Sequence, residues 1–403
     1  MSMRKRSTRA YQSDSDDDVP PPLSGPSRGK KGGGPGGEGG GIGSSIASIT
    51  LTGLFFGVMY MVTASCIYSF PTPLPLDADE ELFAEARAKV VVDKLAGEYG
   101  VRDVGSFGHK QGIYYVYTNL EAMAANAIEE RPDLNVEVGY QLANGTFAYH
   151  RGFLKHRFST SYTNMENVML RVAPANMTGV SSRGVLVNSH VDSTLSSPGA
   201  SDAGMCVAVM MEAVRTLLTK PAMAAPVVFL FNGAEETFHQ GAHAFMTQHE
   251  WSRGLRAVLN LESTGAGGFD LMFQAAGGWA AALYAKHAKH PHASPVGADL
   301  FNFKLVQLDT DFRFFSQEFG GLQGMDLATV LDGYAYHTTN DRPDRMQAGA
   351  MQSMGDNAVA LIPALAAEML RQEDAGEEHP SQFNDVVFDV LGMFTVHYSG
   401  HLV

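Results

Sequence analysis

The chain has 403 residues, enough for one large domain or two ordinary ones, and 45% of them are hydrophobic, which supplies a sizeable core. Its 43 acids against 29 bases leave a formal charge of -14, which excludes a nucleic-acid binder held by phosphate contacts. Two cysteines, Cys66 and Cys206, exclude a disulfide scaffold and a Cys-rich zinc ribbon, so any metal must rest on imidazole and carboxylate.

Residues 1–44 are low complexity, with a basic start (Arg4, Lys5, Arg6, Arg9), an acidic run DSDDD and the stretch KKGGGPGGEGGG. Too little apolar surface is present to offset chain entropy, so a disordered tail is expected, its acidic run a candidate phosphorylation target. The Gly-rich stretch has no strand before it and no Lys-Ser after it, so it is no phosphate loop. Residues 45–70 carry no charge and are long enough to cross about 30 Å of hydrocarbon as a helix. The apolar run is longer and later than that of a cleaved signal peptide. Arg28, Lys30 and Lys31 precede it, and Asp77, Asp79, Glu80 and Glu81 follow it. That bias predicts a membrane anchor with a cytosolic N-terminus and everything after Pro71 across the bilayer. Two sequons, Asn144-Gly-Thr and Asn176-Met-Thr, then lie on the side where glycans are added.

From 80 to 375 the pattern is that of a globular domain. EELFAEARAKVVVDKLAGEYG reads as an amphipathic helix ending at a glycine. Apolar strand-like runs (GVLVNSH, PVVFLFNG, RAVLNLES) then alternate with helical stretches (MCVAVMMEAVRTLLT, GAHAFMTQHEW, WAAALYAKHAK). Alternation of this kind implies an α/β fold, a mostly parallel sheet sandwiched by helices. No repeat is visible. The segment 376–403 turns apolar again at Val386; a last helix or strand of the domain and the start of a further membrane region both remain open.

Ligands of open α/β sheets bind beyond the carboxyl ends of the strands, and metal-type side chains collect at those ends here. GVLVNS delivers His190, PVVFLFNGA delivers Glu235 and Glu236, RAVLNL delivers Glu262 and DGYAY delivers His337, while Asp202 lies in the loop PGASDAG. Singly, His190 would be a loop or core histidine, Glu262 a cap and His337 a turn residue. Jointly, two imidazoles, two terminal carboxylates and one shared carboxylate suit two zinc ions about 3.5–4 Å apart. Asp202 is the short carboxylate suited to bridging, and Asp192 is placed to hydrogen-bond the second imidazole nitrogen of His190. In the Glu235–Glu236 pair one carboxylate can bind metal while its neighbour serves as general base, with a solvated loop as the bland reading. His239, His243 and His249 follow this pair without a Glu motif between them and read as a helix face. AKHAKHPHASP reads as a surface loop, and no Gly-x-Ser-x-Gly elbow appears.

The ordered set HVDS…SPGASDAG…FNGAEE…NLES…YHTTND resembles the di-zinc exopeptidases related to bacterial leucyl aminopeptidase, aminopeptidase Y and glutamate carboxypeptidase, and most of all their endoplasmic reticulum metallopeptidase group. The likeness runs from about Phe83 to Gly392. It implies the zinc exopeptidase fold, two Zn²⁺ per chain and a peptide or protein substrate. Carried over by residue, His190 and Glu262 would ligate one zinc and Glu236 and His337 the other, with Asp202 bridging and Glu235 as base. Many relatives have Asp where Glu262 stands, although the endoplasmic reticulum group resembles this choice. Asp311, in QLDTDFRFFSQEFGG, would shape the far wall of the site, with a helix N-cap as the bland reading; Tyr336 would contact substrate or stabilise an oxyanion. The resemblance further implies an endoplasmic reticulum membrane protein with a lumenal peptidase domain at 80–375. The group continues into several more spans where this chain stops, so a short isoform, a fragment or an incomplete gene model is expected. Two rival functions share the fold. A glutaminyl-cyclase-like acyltransferase would use a single zinc, and a non-catalytic receptor or chaperone-like module would have lost ligands or the base.

Overall fold

The computed structural model describes residues 41–151, 156–177, 183–302, 309–376 and 385–399. The tail expected at 1–44 falls outside these residues except for its last four, which already belong to helix α1 (Gly41–Ile67). Within α1, Ser45–Ile67 is a 23-residue stretch of mean hydropathy 1.7, long and apolar enough to cross a membrane. Its polar side chains are short; Thr50 Oγ1 donates back to the Ile46 carbonyl at 2.9 Å, which satisfies the hydroxyl within the helix.

The remainder is built on a seven-stranded sheet. In chain order come α2 (Glu85–Val92), α3 (Phe107–Glu130), β1 (Leu134–Arg151), β2 (His156–Pro174), β3 (Gly184–His190), α4 (Cys206–Leu218), β4 (Val227–Asn232) and α5 (Gln240–Gln248). There follow β5 (Leu255–Ser263), β6 (Gly267–Ala276), α6 (Gly278–His287), α7 (Pro295–Asn302), the single turn α8 (Asp311–Arg313), β7 (Gln323–Leu331) and α9 (Ala350–Ala375). A hairpin of β8 (Asp385–Val390) and β9 (Phe394–Ser399) completes the described chain. The sheet order is β1-β2-β4-β3-β5-β7-β6. Its four central strands, β4-β3-β5-β7, are parallel, and the strands at either flank pair antiparallel. The parallel sheet expected from the strand-helix alternation is thus the middle of a mixed one.

Alternation along the central strands sorts their side chains onto two faces. Val185, Val187, Phe229 and Leu259 enter the core under α2, α3, α4 and α9. Leu186, Val228, Leu230 and Val258 enter a second core with Phe245 of α5 and Phe312 and Phe315. Strands covered on both sides read as unbroken apolar runs, as GVLV at the start of β3 and VVFLF in β4 do. A fully buried ring such as Phe229 contributes about 3–5 kcal/mol against truncation to alanine.

The tail beyond 384 is strand rather than helix in its described part. His397 Nε2 lies 2.9 Å from Asp385 Oδ2, tying β9 to β8, and Asp389 Oδ1 accepts from the Ala293 N–H at 3.1 Å. The segment AKHAKHPHASP is more than a solvated loop: the His292 ring stacks on Phe269 at 3.8 Å, and His290 Nε2 meets Asp356 Oδ2 of α9 at 3.0 Å.

Candidate metal centre

The parallel strands finish level with one another. His190 pairs with Asn232, and Asn188 pairs with Asn260 two residues before Glu262, so the loops after β3, β4 and β5 open at one edge of the sheet. From that edge the structure brings together His190, Asp202, Glu236, Glu262 and His337.

Asp202 stands at the centre. Its Oδ1 lies 3.2 Å from His190 Nε2, and its Oδ2 lies 3.0 Å from His337 Nε2. His190 Nε2 is also 3.4 Å from Glu262 Oε1, and His337 Nε2 is 3.3 Å from Glu236 Oε1. Two trios result, His190–Asp202–Glu262 and Asp202–Glu236–His337, which share Asp202 and can each converge ligand atoms on one ion. A tetrahedral zinc with bonds of about 2.0–2.1 Å puts its ligand atoms about 3.3 Å apart. The four spacings, 3.0–3.4 Å, match that edge. Among the described residues, buried Glu236 Oε1 makes no well-formed hydrogen bond and has only the His337 imidazole beside it, the state of a ligand oxygen in want of a cation. Nitrogen and carboxylate donors in this number fit zinc.

The electrostatics point the same way. Burial opposes charge on His190, yet Glu262, Asp192 and Asp202 outweigh it and raise this imidazole well above its ordinary range. Burial likewise opposes charge on His337, but Asp202 and Glu236 push it up to about 10. Burial, reinforced by repulsion from Asp202, lifts Glu236 to about 8. Burial and the charges of Asp202 and Glu235, against the pull of His190, lift Glu262 to about 7. The donor set is over-supplied with negative charge and takes up protons to balance it, which divalent cations would do in their place.

Local structure explains the placement. Gly199 has φ +59, and a Cβ there would meet the Asp202 carbonyl oxygen at 2.4 Å, so only glycine lets the loop turn back to present Asp202. The Asp341 carboxylate accepts from Ser201 N, Ser201 Oγ and Asp202 N at 2.8, 2.7 and 3.1 Å, fixing the same turn. Arg102 is fully buried and donates to the carbonyls of Val191, Pro198 and Gly199 at 2.8, 2.6 and 2.9 Å, clamping both ends of the loop between His190 and Asp202.

Asp192 differs in detail from expectation. His190 Nδ1 sits 3.0 Å from the Asp192 backbone carbonyl and 3.4 Å from its Oδ1. The carboxylate chiefly accepts from the backbone N–H groups of Glu235 and Glu236, at 3.1 and 3.0 Å, and so holds the turn that delivers both glutamates. Tyr336 stacks on the His337 ring at 3.7 Å, and burial together with the site carboxylates keeps its phenol protonated. Asp311 is not the cap of α8, which Thr310 precedes; its Oδ1 instead meets His239 Nδ1 at 3.0 Å. His239 in turn lies 3.0 Å from Glu235 Oε1, so it belongs to the site and not to a helix face. His243 keeps the expected helical position, stacked on Phe147 at 4.1 Å and bonded to the Tyr162 hydroxyl at 2.7 Å. Sequence reasoning passed over Arg102 and Asp341 and read His239 as part of a helix face. Asp341 closes the YHTTND motif and was within reach, whereas nothing local marks Arg102.

Residues 167–362 match the profile of peptidase family M28. The chain belongs to that family. It is 37% identical over 306 residues to the human protein named endoplasmic reticulum metallopeptidase 1, an alignment covering 75% of this chain and 32% of that one. A Caenorhabditis elegans protein named putative endoplasmic reticulum metallopeptidase 1-A is 34% identical over 330 residues, 79% of this chain and 35% of that one. The M28 chain therefore spans about a third of the length of these curated relatives. Among solved structures, a leucine aminopeptidase precursor from Bacteroides thetaiotaomicron superposes with a TM-score of 0.51 at 14% identity, covering 73% of this chain and 99% of that one. At that identity the likeness establishes the fold alone.

Proposed function

We propose that the chain is a membrane-anchored, zinc-dependent exopeptidase, an aminopeptidase, acting on peptides or proteins in the endoplasmic reticulum lumen. M28 membership and the names of the relatives support a metallopeptidase of that compartment. The apolar Ser45–Ile67 helix, with basic residues before it and acidic ones after, supports an anchor whose following domain, residues 80–375, is lumenal. Asn144 and Asn176 are exposed, as glycan acceptors there would need to be. The aminopeptidase reading rests on the motif set, which resembles the leucyl aminopeptidase group in kind and order.

His190, Asp202 and Glu262 would hold one zinc, and Asp202, Glu236 and His337 the second. When bound, the pair supplies Lewis acidity, drawing charge from a peptide carbonyl and making water acidic enough to react near neutral pH. Glu235 takes the proton of the attacking water and hands it to the departing amine. Asp192 holds Glu235 and Glu236 by their backbone N–H groups, and the protonated Tyr336 phenol donates to the substrate carbonyl oxygen as it gains charge. The observation that carries the reading is the shared carboxylate, with Asp202 Oδ1 turned to one imidazole and Oδ2 to the other. A glutaminyl-cyclase-like enzyme would use one zinc and leave one trio idle, and a receptor-like module would lack a working base. Replacing Glu235 by Gln tests the reading. Two zinc per chain should remain while aminopeptidase turnover falls by about 10²–10⁴, and unchanged turnover removes Glu235 as base.

A further inference from the structure

Glu235 stands on the loop after β4, and a base on a loop needs something to aim it. Its Oε1 lies 3.0 Å from Nδ1 of His239, and the same Nδ1 lies 3.0 Å from Asp311 Oδ1. One imidazole N–H is thus shared between two buried carboxylates. The His239 backbone N–H also bonds the Glu235 carbonyl at 2.8 Å, and its ring stacks on Phe314 at 4.4 Å. Phe238 and His239 both adopt left-handed backbone, φ +73 and +57, a conformation that side chains other than glycine adopt only when their surroundings enforce it. Asp311 is anchored in its turn. Its Oδ2 accepts from the side-chain amides of Asn232 on β4 and Asn188 on β3, the latter at 3.1 Å. Asn188 Nδ2 lies 2.8 Å from Asn260 Oδ1 on β5, and Asn260 Nδ2 lies 2.9 Å from Asp326 Oδ1 on β7. A buried hydrogen-bonded row therefore runs across the four parallel strands and ends on Glu235.

We propose that His239 is a positioning residue: braced by Asp311 against the rigid sheet, it grips one oxygen of Glu235 so that the other is aimed at the reacting water. The inference rests on Glu235 being the base. It adds a residue that touches neither zinc trio, and it gives the polar row through the sheet a task. The three side chains could alternatively hold a cation of their own. A ring stacked on Phe314, with its N–H already shared between two oxygens, suits an orienting contact better.

The test compares His239→Leu, His239→Asn and Glu235→Gln in the full chain, with a panel of aminoacyl p-nitroanilides and zinc analysis. Leucine removes the grip. Asparagine places its side-chain nitrogen near where Nδ1 stood and offers two N–H groups, one for each carboxylate. We expect His239→Leu to lower kcat by about 30-fold or more at near-constant KM with two zinc retained, and His239→Asn to recover kcat to within about fivefold of the parent. Parental kcat in His239→Leu overturns the inference, as does an equal loss in the Leu and Asn variants. A third zinc in the parent that disappears in His239→Leu overturns it in favour of a cation site. If His239→Leu does not fold, His239→Gln, whose donor reaches past the Nδ1 position, replaces it with the same expected loss and the same refuting result. Retained turnover in Glu235→Gln removes the base assignment itself. An inactive Glu235→Gln beside a fully active His239→Leu removes only the role of His239.

Discussion

Replacing Arg102 by methionine should separate folding support from metal chemistry. The guanidinium donates to four carbonyls, those of Val191, Gly100, Pro198 and Gly199, at 2.8, 3.1, 2.6 and 2.9 Å, and is fully buried. Burial lowers its pKa to about 10, against the pull of Asp192, Asp341 and Asp202, so it remains charged at neutral pH. Methionine keeps the apolar stem and removes every donor. Each charge-assisted bond is worth about 1.5–3 kcal/mol alone, but the four are lost together and the desolvation of the cation is relieved. The net cost should approach that of breaking a buried charged cluster, about 3–5 kcal/mol. At about 2–4 °C per kcal/mol for a domain of this order, the melting temperature should drop by about 6–20 °C. Circular dichroism melts with excess chelator read the folding term. A zinc titration reads the second effect, weaker binding, because the clamped loop carries both His190 and Asp202. A melt within about 2 °C of the parent and unchanged zinc affinity would refute the reasoning.

Gly199→Ala should lower zinc binding and destabilise by about 1–3 kcal/mol, since it sets a Cβ 2.4 Å from the Asp202 carbonyl at a left-handed position; a parental zinc isotherm argues against this. Zinc loading at pH 6.5 should release protons, at least two per chain, because Glu262, Glu236 and His337, at about 7, 8 and 10, hold protons at that pH and ligands must shed them. A pH-indicator titration that reads none contradicts the charge argument. In the presence of chelator the sign reverses into stability. Glu262 and Glu236 are raised in the folded chain, so their contribution is full below about pH 4.5 and is lost as pH climbs through about 7–8. Melts between pH 6 and 9 should therefore fall with pH under chelation, and a rise over that window would count against it.

How much of this was legible in the residues depended on range. β3 closes on His190, the loop just after β4 carries Glu235 and Glu236, and β5 holds Glu262 next to its last residue, so both the strands and the candidate ligands they deliver can be read from a dozen residues each. The long antiparallel pair β1 and β2 gave little signal, because one side of each strand faces solvent and carries Glu137, Thr146 and Ser161 among its apolar residues. The candidate metal ligands were visible because zinc demands few residue types at strand ends. Their supports were not. Arg102 reaches the loop from a segment about ninety residues earlier, and its partners are carbonyls, which every residue possesses. His239 was misplaced for a related reason: its four-residue spacing from His243 suggests a helix, but the helix begins only at Gln240, and left-handed backbone turns His239 towards Asp311.

The central claim is that one carboxylate, Asp202, joins two zinc sites made by His190 with Glu262 and by Glu236 with His337. Zinc titration of the purified chain, followed by isothermal calorimetry in parallel with the variants Glu262→Ala, Glu236→Ala and Asp202→Ala, tests it most directly. Two zinc per chain are expected in the parent, one in each glutamate variant, and loss of tight binding at both sites for Asp202→Ala. A single zinc in the parent, or an Asp202→Ala chain that still binds two tightly, would contradict the account.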